Sequence, residues 1–527
     1  MRGELAGLVA TRYPDLPLVT ETLRRTLSLA GQAGTGDGKW RPLPLLLAVL
    51  YRLQARAADR AGTEVQDGTG ELVELLGYHW HCLAAAARTI RPGLERAESG
   101  EVAGLLRAAA ARHSTELGLP PGSVVWVWSS ELDHGPGRLE DHTPDHLITV
   151  HPTARAVILT ILGTRLTPAP EPLDILMDLA AASRPFSDGV AHGGLGMGAA
   201  SLGRVAVPRL ARGLQENPGY RLLITGYSLG AGLAQLLSLQ LRPGGIQAAL
   251  LPPNTQVSTA SLSLVHLKPP CQVYTIGFGS PPVFLGGAGP LPDSGRMVLV
   301  QNDQDGIFGA SLRNVKDLLL KVAALERLNL NRRLLLKMVF TDDDDGDKEE
   351  NDNFSREEIE FIEFRGNHSD HTEWIVEKEA GSIEDDDGDG YFDVSDEVWD
   401  EIGAAVENIP AGGEPRLRHL VPLVLRLQRQ ETGRVDITSY RGLNQTKLLS
   451  DRLRLSSGML NDHMPWGYDS LFAGLGPLNT TRPPDLAILD RLGRTQHKQA
   501  ERKPGIGDKL RSRWGKFKAK VKDLIQG

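Results

Sequence analysis

The sequence is poor in cysteine and in aromatic residues, and it has no long apolar run. Its 527 residues include two cysteines, Cys82 and Cys271, which excludes a disulfide framework and indicates a reducing compartment. The most apolar run, Leu43–Tyr51, is about half as long as the ~20 residues of a membrane-spanning helix. Charged residues from Glu4 onward interrupt every candidate signal-peptide core. These absences predict a cytoplasmic protein without a transmembrane segment.

The charged residues are distributed unevenly along the chain. The formal net charge is −8, yet residues 341–400 contain 25 acidic and 4 basic side chains. Between residues 495 and 527 the balance is reversed, with 10 basic and 3 acidic side chains. Hydrophobic residues make up 41% of the chain, which is typical of a folded globular protein. The acidic segment and the basic segment are therefore features that the function has to explain.

The apolar pattern predicts a helical N-terminal region followed by an α/β sheet. Residues 1–120 are rich in Ala, Leu and Arg and show no strand-like alternation. From about residue 121, short apolar runs alternate with helical stretches, a pattern typical of buried parallel strands covered by helices. The expected helices include 45–55, 71–89, 102–113, 199–214, 231–241 and 417–430, and the expected strands are 156–162, 222–225, 272–276 and 297–300.

Residues 226–230, Gly-Tyr-Ser-Leu-Gly, have the G-x-S-x-G pattern of a nucleophile. A strand-like run precedes them and a helical run begins at Ala231, so the context is strand, tight turn and helix. This context places the hydroxyl of Ser228 at the carboxyl edge of the sheet, beside a helix N-terminus that favours negative charge. The alternative interpretation is a glycine-rich turn without chemistry.

A serine nucleophile needs a base and a residue that orients the base, in the chain order Ser, Asp, His. Asp305 follows the apolar strand that starts at Met297, and Asp303 is a rival two residues earlier. His463 lies in a short loop before an aromatic run. Its position in the chain favours it over the other histidines.

Six segments with recognisable motifs follow one another along the chain. They are Val157–Thr164, Ala191–Gly194, Gly226–Ala234, Thr275–Pro282, Asn302–Ile307 and Met459–His463. Each resembles a characteristic motif of the class 3 lipases, the family of fungal triacylglycerol lipases and of diacylglycerol lipases, and the last resembles the diacylglycerol-lipase branch. In this order the set is highly specific.

The resemblance implies an α/β-hydrolase fold and a role for each matching residue. Ser228 is implied as the nucleophile, His463 as the general base and acid, and Asp305, in preference to Asp303, as the residue that orients the histidine. The backbone N–H of Leu229 and Thr164 are implied to hold the oxyanion, where the loss of one donor costs ~3 kcal/mol of transition-state stabilisation.

The chain departs from the family pattern at two positions and carries a candidate lid. Leu162 stands where the family usually has arginine, and Tyr227 where it usually has histidine. The resemblance implies a lid at Arg165–Leu179, where prolines precede an apolar stretch. An ordinary surface helix is the alternative for this segment.

The acidic segment contains a match to the twelve-residue calcium loop of EF-hand proteins. Residues 385–396 have acidic side chains at the first, third, fifth, ninth and twelfth positions and a glycine at the sixth, where the turn needs it. Residues 347–358 form a degenerate second copy, and a disordered acidic loop is the alternative. We expect calcium as a structural or regulatory cofactor, with ligands from Asp385, Asp387, Asp389, Tyr391, Asp393 and Asp396.

The basic segment predicts an amphipathic helix at the end of the chain. From Leu510 to Leu524 the apolar residues recur at intervals of three and four, with lysines and arginines between them. This pattern favours a helix that lies on a membrane surface. The same composition also fits binding to a calmodulin-type partner, docking on the acidic segment of the same chain, or contact with nucleic acid. Of these alternatives, we do not expect nucleic-acid binding.

Together these features predict a carboxylic ester hydrolase, peripherally associated with a membrane, that acts on diacylglycerol or monoacylglycerol esters. The alternatives are a phospholipase A1 and a calcium-responsive membrane-binding protein without turnover. The expected units are a helical N-terminal region (1–120), two parts of the hydrolase core (121–335 and 411–480), the EF-hand-like insertion between them (336–410) and a basic tail (481–527).

Overall fold

The computed structural model describes stretches of the chain between residues 46 and 489. None of the helices it describes is long and apolar enough to cross a membrane. The described residues are 46, 49–50, 53–54, 65–66, 70–90, 102–130, 138–166, 170–241, 273–286, 296–328, 396–407, 415–421, 423–430, 435–441, 449, 453, 459–473 and 486–489.

Twelve strands lie within the described residues. In chain order they are β1 (Val65–Gln66), β2 (Val124–Trp128), β3 (His146–His151), β4 (Ala156–Ile161), β5 (Ser183–Phe186), β6 (Gly189–His192), β7 (Arg221–Tyr227), β8 (Val273–Phe278), β9 (Phe284–Gly286), β10 (Met297–Asn302), β11 (Leu423–Arg429) and β12 (Val435–Arg441). They form a large sheet in the order β1-β12-β11-β10-β8-β7-β4-β3-β2 and a small antiparallel sheet in the order β5-β6-β9.

The centre of the large sheet is parallel. Strands β4, β7, β8, β10 and β11 run in the same direction, and antiparallel strands flank them on both sides. Strands β4 and β10 are buried along their whole length, which explains their apolar, β-branched sequences. Because the strands are parallel, their carboxyl ends meet at one edge of the sheet.

Eight α-helices are present in the described part of the chain. They are α1 (Gly70–Ile90), α2 (Val102–Glu116), α3 (Pro172–Leu179), α4 (Gly193–Glu216), α5 (Leu229–Gln240), α6 (Leu312–Arg327), α7 (Asp396–Glu407) and α8 (Pro465–Phe472). The mixed sheet with helices on its faces has the α/β-hydrolase architecture that the sequence predicts.

Helices cover both faces of the sheet. On one face, α4 and α5 bury leucines and alanines together with Met177 of α3. On the other face, α1 and α8 pack over the central strands, and Leu486, Ile488 and Leu489 join them. Each buried leucine or isoleucine contributes about 1.5–3 kcal/mol relative to an exposed one. The N-terminal helix α1 is therefore an integral layer of the core.

A separate apolar cluster joins α6 to α7. Trp399 and Ile402 of α7 pack against Val322 and Leu325 of α6. Leu46, Val49 and Leu50 from the predicted helix 45–55 complete this cluster. Helix α7, which begins at the last position of the predicted calcium loop, thus packs on the helix that follows β10.

One predicted element has the wrong type. Residues 417–430 were expected to form a helix, but Leu423–Arg429 form strand β11, parallel to β10 and antiparallel to β12. The composition Leu-Val-Leu-Arg-Leu-Gln-Arg favours a helix, yet Leu423, Leu425 and Leu427 share one face of a strand by alternation. Pairing with β10 outweighs the local preference.

The other expected elements are confirmed within narrow limits. The predicted helices 71–89 and 102–113 are α1 and α2, and 199–214 and 231–241 fall in α4 and α5. The predicted strands are β4, β7, β8 and β10. The predicted second calcium loop, 347–358, and the amphipathic helix 510–524 lie outside the described residues.

Candidate active site

Ser228 lies in a sharp turn between β7 and α5. Its backbone has φ +55° and ψ −122°, a conformation that residues other than glycine rarely adopt. The turn is possible because Gly226 and Gly230 have no side chains: a Cβ on Gly226 would meet the backbone of Gly230, and one on Gly230 the carbonyl of Ile161. The strained turn presents the Ser228 side chain at the carboxyl edge of the sheet.

The structure brings the predicted serine, histidine and aspartate into one chain of hydrogen bonds. Ser228 Oγ lies 2.9 Å from His463 Nε2. His463 Nδ1 lies 3.0 Å from both carboxyl oxygens of Asp305. The distances and the order of the three groups are those that nucleophilic catalysis by serine requires.

Asp305 is buried and its carboxylate is fixed from several directions. The side chain is 0% exposed. Besides His463, the backbone N–H of Ile307 donates to Oδ1 at 3.0 Å, and the hydroxyl of Tyr468 donates to Oδ2 at 3.0 Å. These donors compensate the burial of the charge and hold it toward the imidazole.

The rival carboxylate, Asp303, has a different partner. Arg426 Nη2 of β11 lies 2.7 Å from Asp303 Oδ1, and its Nε donates to the Asp303 carbonyl oxygen at 2.9 Å. Asp303 has φ +26°, which turns the chain away from the end of β10 before Asp305. The geometry therefore favours Asp305 as the partner of His463.

The loop that carries His463 is joined to the loop that carries Asp305. The backbone N–H of Gly306 donates to Met459 O at 3.0 Å, and Asn302 Nδ2 donates to Asp462 O at 2.9 Å. The backbone N–H of Gln304 donates to Asp462 Oδ2 at 3.0 Å. These bonds explain why Asp462 precedes the histidine, since its side chain ties the two loops together.

A glycine at the end of β8 makes room for the histidine–aspartate pair. Gly279 has φ +59°, and a Cβ there would lie 2.8 Å from Asp305 Oδ2 and 3.0 Å from His463 Nδ1. Alanine at this position would press on both groups. Apart from its place in the motif 275–282, nothing in the sequence marks this glycine.

The two predicted oxyanion donors belong to segments that meet at the turn at Ser228. Leu229 is the first residue of α5, so its N–H has no acceptor within the helix. Thr164 follows Gly163, where a Cβ would lie 2.8 Å from the ring of Tyr227, the neighbour of Ser228. Thr164 Oγ1 donates to Asp178 Oδ2 at 2.6 Å, a contact that the sequence did not indicate.

Asp178 has an unusual carboxyl for a site of this kind. Its pKa is raised to about 7, mainly by burial and with a contribution from Asp174, although the hydrogen bond from Thr164 and the proximity of His463 act in the opposite direction. Asp178 lies within the predicted lid, near the C-terminal end of α3. Its raised pKa is the signal by which it could be recognised as part of the site.

The predicted lid, Arg165–Leu179, contains helix α3, and buried polar contacts hold the start of this helix. His142 Nε2 lies 2.8 Å from Asp174 Oδ1, and both side chains are buried. The backbone N–H of Arg165 donates to the other oxygen of Asp174 at 3.0 Å. Glu171 caps the helix and pairs with Arg165 Nη2 at 2.8 Å. Opening of this segment stays a prediction.

The predicted calcium site is not among the residues that the structure describes. Asp385, Asp387, Asp389, Tyr391 and Asp393 lie outside them, and Asp396 is the first residue of α7. In the described ranges, no group of three or more His, Cys, Asp or Glu side chains could hold a metal ion.

The segment that contains the turn at Ser228 matches a known protein family. Residues 159–284 match the family model of lipase (class 3). The predicted resemblance to class 3 lipases is confirmed. The match includes Thr164, Ser228 and Leu229, and it supports lipase activity at this general level. The predicted enzyme class, carboxylic ester hydrolase, is confirmed.

Part of the chain is similar to solved lipase structures at low sequence identity. The lipase from Rhizopus microsporus var. chinensis is 16% identical, with 46% of this chain and 71% of that chain covered and a TM-score of 0.30. The Lip2 lipase from Yarrowia lipolytica is 15% identical, with 47% and 77% covered and a TM-score of 0.30. Lipase II from Rhizopus niveus is 14% identical, with 46% and 76% covered and a TM-score of 0.29. A comparison with curated proteins finds no match.

Proposed function

We propose that the protein is a serine lipase that hydrolyses diacylglycerol or monoacylglycerol esters through an acyl-enzyme, with Ser228, His463 and Asp305 as its catalytic triad. The observation that carries the proposal is the chain of hydrogen bonds from Ser228 Oγ through the imidazole of His463 to Asp305. A second observation supports the proposal: the strained turn places the serine at the carboxyl edge of the sheet.

Each step of this reaction has a group in place. His463 Nε2 accepts the proton of Ser228 as its oxygen attacks the ester carbonyl. The N–H of Leu229 and the Thr164 residue hold the negative charge of the tetrahedral intermediate. His463 then gives the proton to the leaving glycerol oxygen, and a water molecule, activated in the same way, releases the fatty acid. Asp305 holds the imidazole in the required tautomer and stabilises its charged form.

Action at a lipid surface is supported by apolar side chains that are exposed beside the site residues. Leu460 and Trp466 are each three residues from His463 and are 61% and 57% exposed. Leu166 and Leu179 are exposed next to Thr164 and Asp178. We name these four residues the apolar rim. Exposed large hydrophobic side chains at a site are typical of contact with an apolar partner.

Calcium binding by residues 385–396 and membrane attachment through the basic segment belong to the same proposal. The acidic side chains at loop positions and the apolar stripe flanked by lysines support them. Cytoplasmic localisation with peripheral membrane association follows from this proposal. Helix α7, which begins at the last position of the calcium loop, packs on α6, the helix after the Asp305 loop.

Release of fatty acid from a panel of lipids tests the proposal. Diacylglycerol, monoacylglycerol, triacylglycerol and phosphatidylcholine are presented in mixed vesicles, with calcium or with a chelator, and Ser228→Ala is the control. We expect release from diacylglycerol or monoacylglycerol that is lost in Ser228→Ala. Release mainly from position 1 of phosphatidylcholine would indicate a phospholipase A1 instead. Vesicle binding in calcium without any release would favour a membrane-binding protein that lacks turnover.

A further inference from the structure

Trp80 of helix α1 is a buried residue outside the family match that the proposed chemistry does not use. Its side chain is on the face of α1 that packs on the sheet, and the residue is 4% exposed. Its indole Nε1–H donates to Asp469 Oδ1 of α8 at 2.8 Å, across 389 positions of sequence. This hydrogen bond fixes one edge of the indole ring.

Three aromatic residues surround the Trp80 ring. Tyr468 stacks on it with ring centroids 4.8 Å apart and an interplanar angle of 28°. Tyr227 meets it edge to face at 5.3 Å and 82°, and Phe278 at 5.5 Å and 64°. Stacked and edge-to-face pairs are the preferred geometries of aromatic rings. In a close-packed interior, a change in the size of the central ring displaces its neighbours.

Each of these three neighbours holds one member of the triad. Tyr227 stacks on the imidazole of His463 at 5.4 Å and 25°, and its hydroxyl donates to the carbonyl oxygen of the same residue at 2.5 Å. The Tyr468 hydroxyl donates to Asp305 Oδ2 at 3.0 Å. The carbonyl oxygen of Phe278 accepts the backbone N–H of Ser228 at 2.8 Å. One indole ring thus contacts the supports of the nucleophile, the base and the acid.

We propose that Trp80 is a positioning residue for the triad, so that the N-terminal helix α1 is part of the catalytic apparatus. This inference rests on the proposed function, since it assigns a role in that reaction. Tyr227, which stands where the family usually has histidine, gives the ring of Trp80 its contact with His463. If Trp80 only filled the core, its loss would lower stability and leave the alignment of the triad unchanged.

The test compares Trp80→Phe and Trp80→Leu with Trp399→Phe and the unaltered protein. Trp399 is 2% exposed and packs in the cluster between α6 and α7, so it is a matched buried tryptophan in a different apolar cluster. Activity is measured on a soluble p-nitrophenyl butyrate at a temperature at which circular dichroism shows all four proteins folded. The rate of Ser228 labelling by a fluorophosphonate is measured in parallel.

We expect kcat of Trp80→Leu to fall about 10- to 100-fold, with KM changed less than about twofold, because small displacements of reacting groups have effects of this size. Labelling should slow in parallel, and Trp80→Phe, which keeps an aromatic ring, should recover most of the rate. Trp399→Phe should lose stability and keep kcat. A folded Trp80→Leu protein with the kcat and labelling rate of Trp399→Phe would overturn the inference.

Asp469→Ala decides the matter if the Trp80 variants do not fold. Asp469 is exposed, and its replacement removes the acceptor of the Trp80 Nε1–H without creating a cavity. We expect a twofold to fivefold fall in kcat at unchanged KM, on the order of the loss of one orienting hydrogen bond. An unchanged kcat would contradict the role of Trp80. If the unaltered protein neither labels nor hydrolyses ester, the proposed function itself fails, whatever the variants do.

Discussion

The carboxylates of Asp303 and Asp305 lie two residues apart and have different partners. Asp305 receives hydrogen bonds from His463, Tyr468 and the backbone of Ile307. Asp303 pairs with Arg426 of β11. From the sequence alone both could orient the histidine, because each follows the same buried strand. The pairing with Arg426 separates them, and it depends on a strand that the sequence did not predict.

Replacement of each carboxylate by an amide separates their roles. Asp305→Asn should lower kcat by about 10⁴-fold, because an amide cannot hold His463 in the required tautomer. Asp303→Asn should lower kcat less than about tenfold, because it weakens only the pairing with Arg426. Both values come from initial rates on a soluble ester. Equal losses in the two variants would contradict the assignment.

Asp178 makes stability depend on pH in a direction that is opposite to that of most acidic residues. Burial raises its pKa to about 7, against an ordinary value of 3.8, so between these values the folded protein holds a proton that the unfolded chain has released. The stabilisation is complete below about pH 4 and is lost as the pH rises through about 7. Asp178→Asn removes this dependence, because the amide does not titrate.

We therefore expect the Tm of Asp178→Asn, relative to the unaltered protein, to be higher at pH 8 than at pH 5. Differential scanning calorimetry at the two pH values measures this difference. A constant offset between the two proteins across the range would show that Asp178 titrates normally. Thr164→Val removes the hydrogen bond that lowers the pKa of Asp178. In a protein that keeps Asp178, this variant should therefore lose more Tm between pH 5 and pH 8 than the unaltered protein does.

At the scale of the elements, helix α3 is fixed at its start and carries Asp178 near its end. The hydrogen bond between His142 and Asp174 lies in the interior, with both side chains 1% exposed. Arg165 and Glu171 add a second pair beside it. The anchored helix carries Asp178, which accepts the hydrogen bond from Thr164. Helix α3 therefore connects its buried start to the oxyanion turn.

Removal of the buried histidine should destabilise this element. His142→Ala leaves a buried carboxyl oxygen of Asp174 without its partner, at a cost of about 1–3 kcal/mol. At about 2–4 °C per kcal/mol, Tm should fall by several degrees. His142→Gln, which keeps a donor, should lose about half as much. An unchanged Tm in His142→Ala would contradict the prediction, because it would show that this hydrogen bond does not hold the start of α3.

The elements of the sheet could be predicted where local pattern and tertiary packing agree. β4, β7, β8 and β10 are apolar runs of strand length, so their burial on both faces is visible in the sequence. β11 is not, because Leu and Arg at alternate positions also suit a helix and only the edge of β10 selects the strand. The turn at Ser228 was predictable because its glycines, serine and flanking elements are adjacent in the chain.

The residues that hold the triad in place could not be predicted, because they are distant from one another in the sequence. Trp80 and Asp469 are 389 positions apart, and no local pattern relates them. The contact of Asp178 with Thr164 depends on how α3 folds back over the oxyanion turn. Motifs thus identify the reacting groups, whereas the residues that hold them depend on tertiary packing.

For the whole molecule, the apolar rim predicts a difference between dissolved and membrane-bound substrates. The double variant Leu460→Ser, Trp466→Ser should lower the rate on diacylglycerol in vesicles by about tenfold or more, because each buried side chain contributes about 1.5–3 kcal/mol. The rate on a soluble short-chain ester should change less than about twofold. Val125→Ser, at an exposed position on β2, is the control. Equal losses in both assays would contradict a role in surface contact.

The central claim is that Ser228 is an activated nucleophile, and covalent labelling tests it most directly. The protein is treated with a fluorophosphonate, and the modified peptide is located by tandem mass spectrometry. We predict a single adduct on Ser228, none in Ser228→Ala, and labelling slowed at least about a thousandfold in His463→Ala. Absence of an adduct on Ser228, in a folded protein and under conditions that label a control lipase, would contradict it.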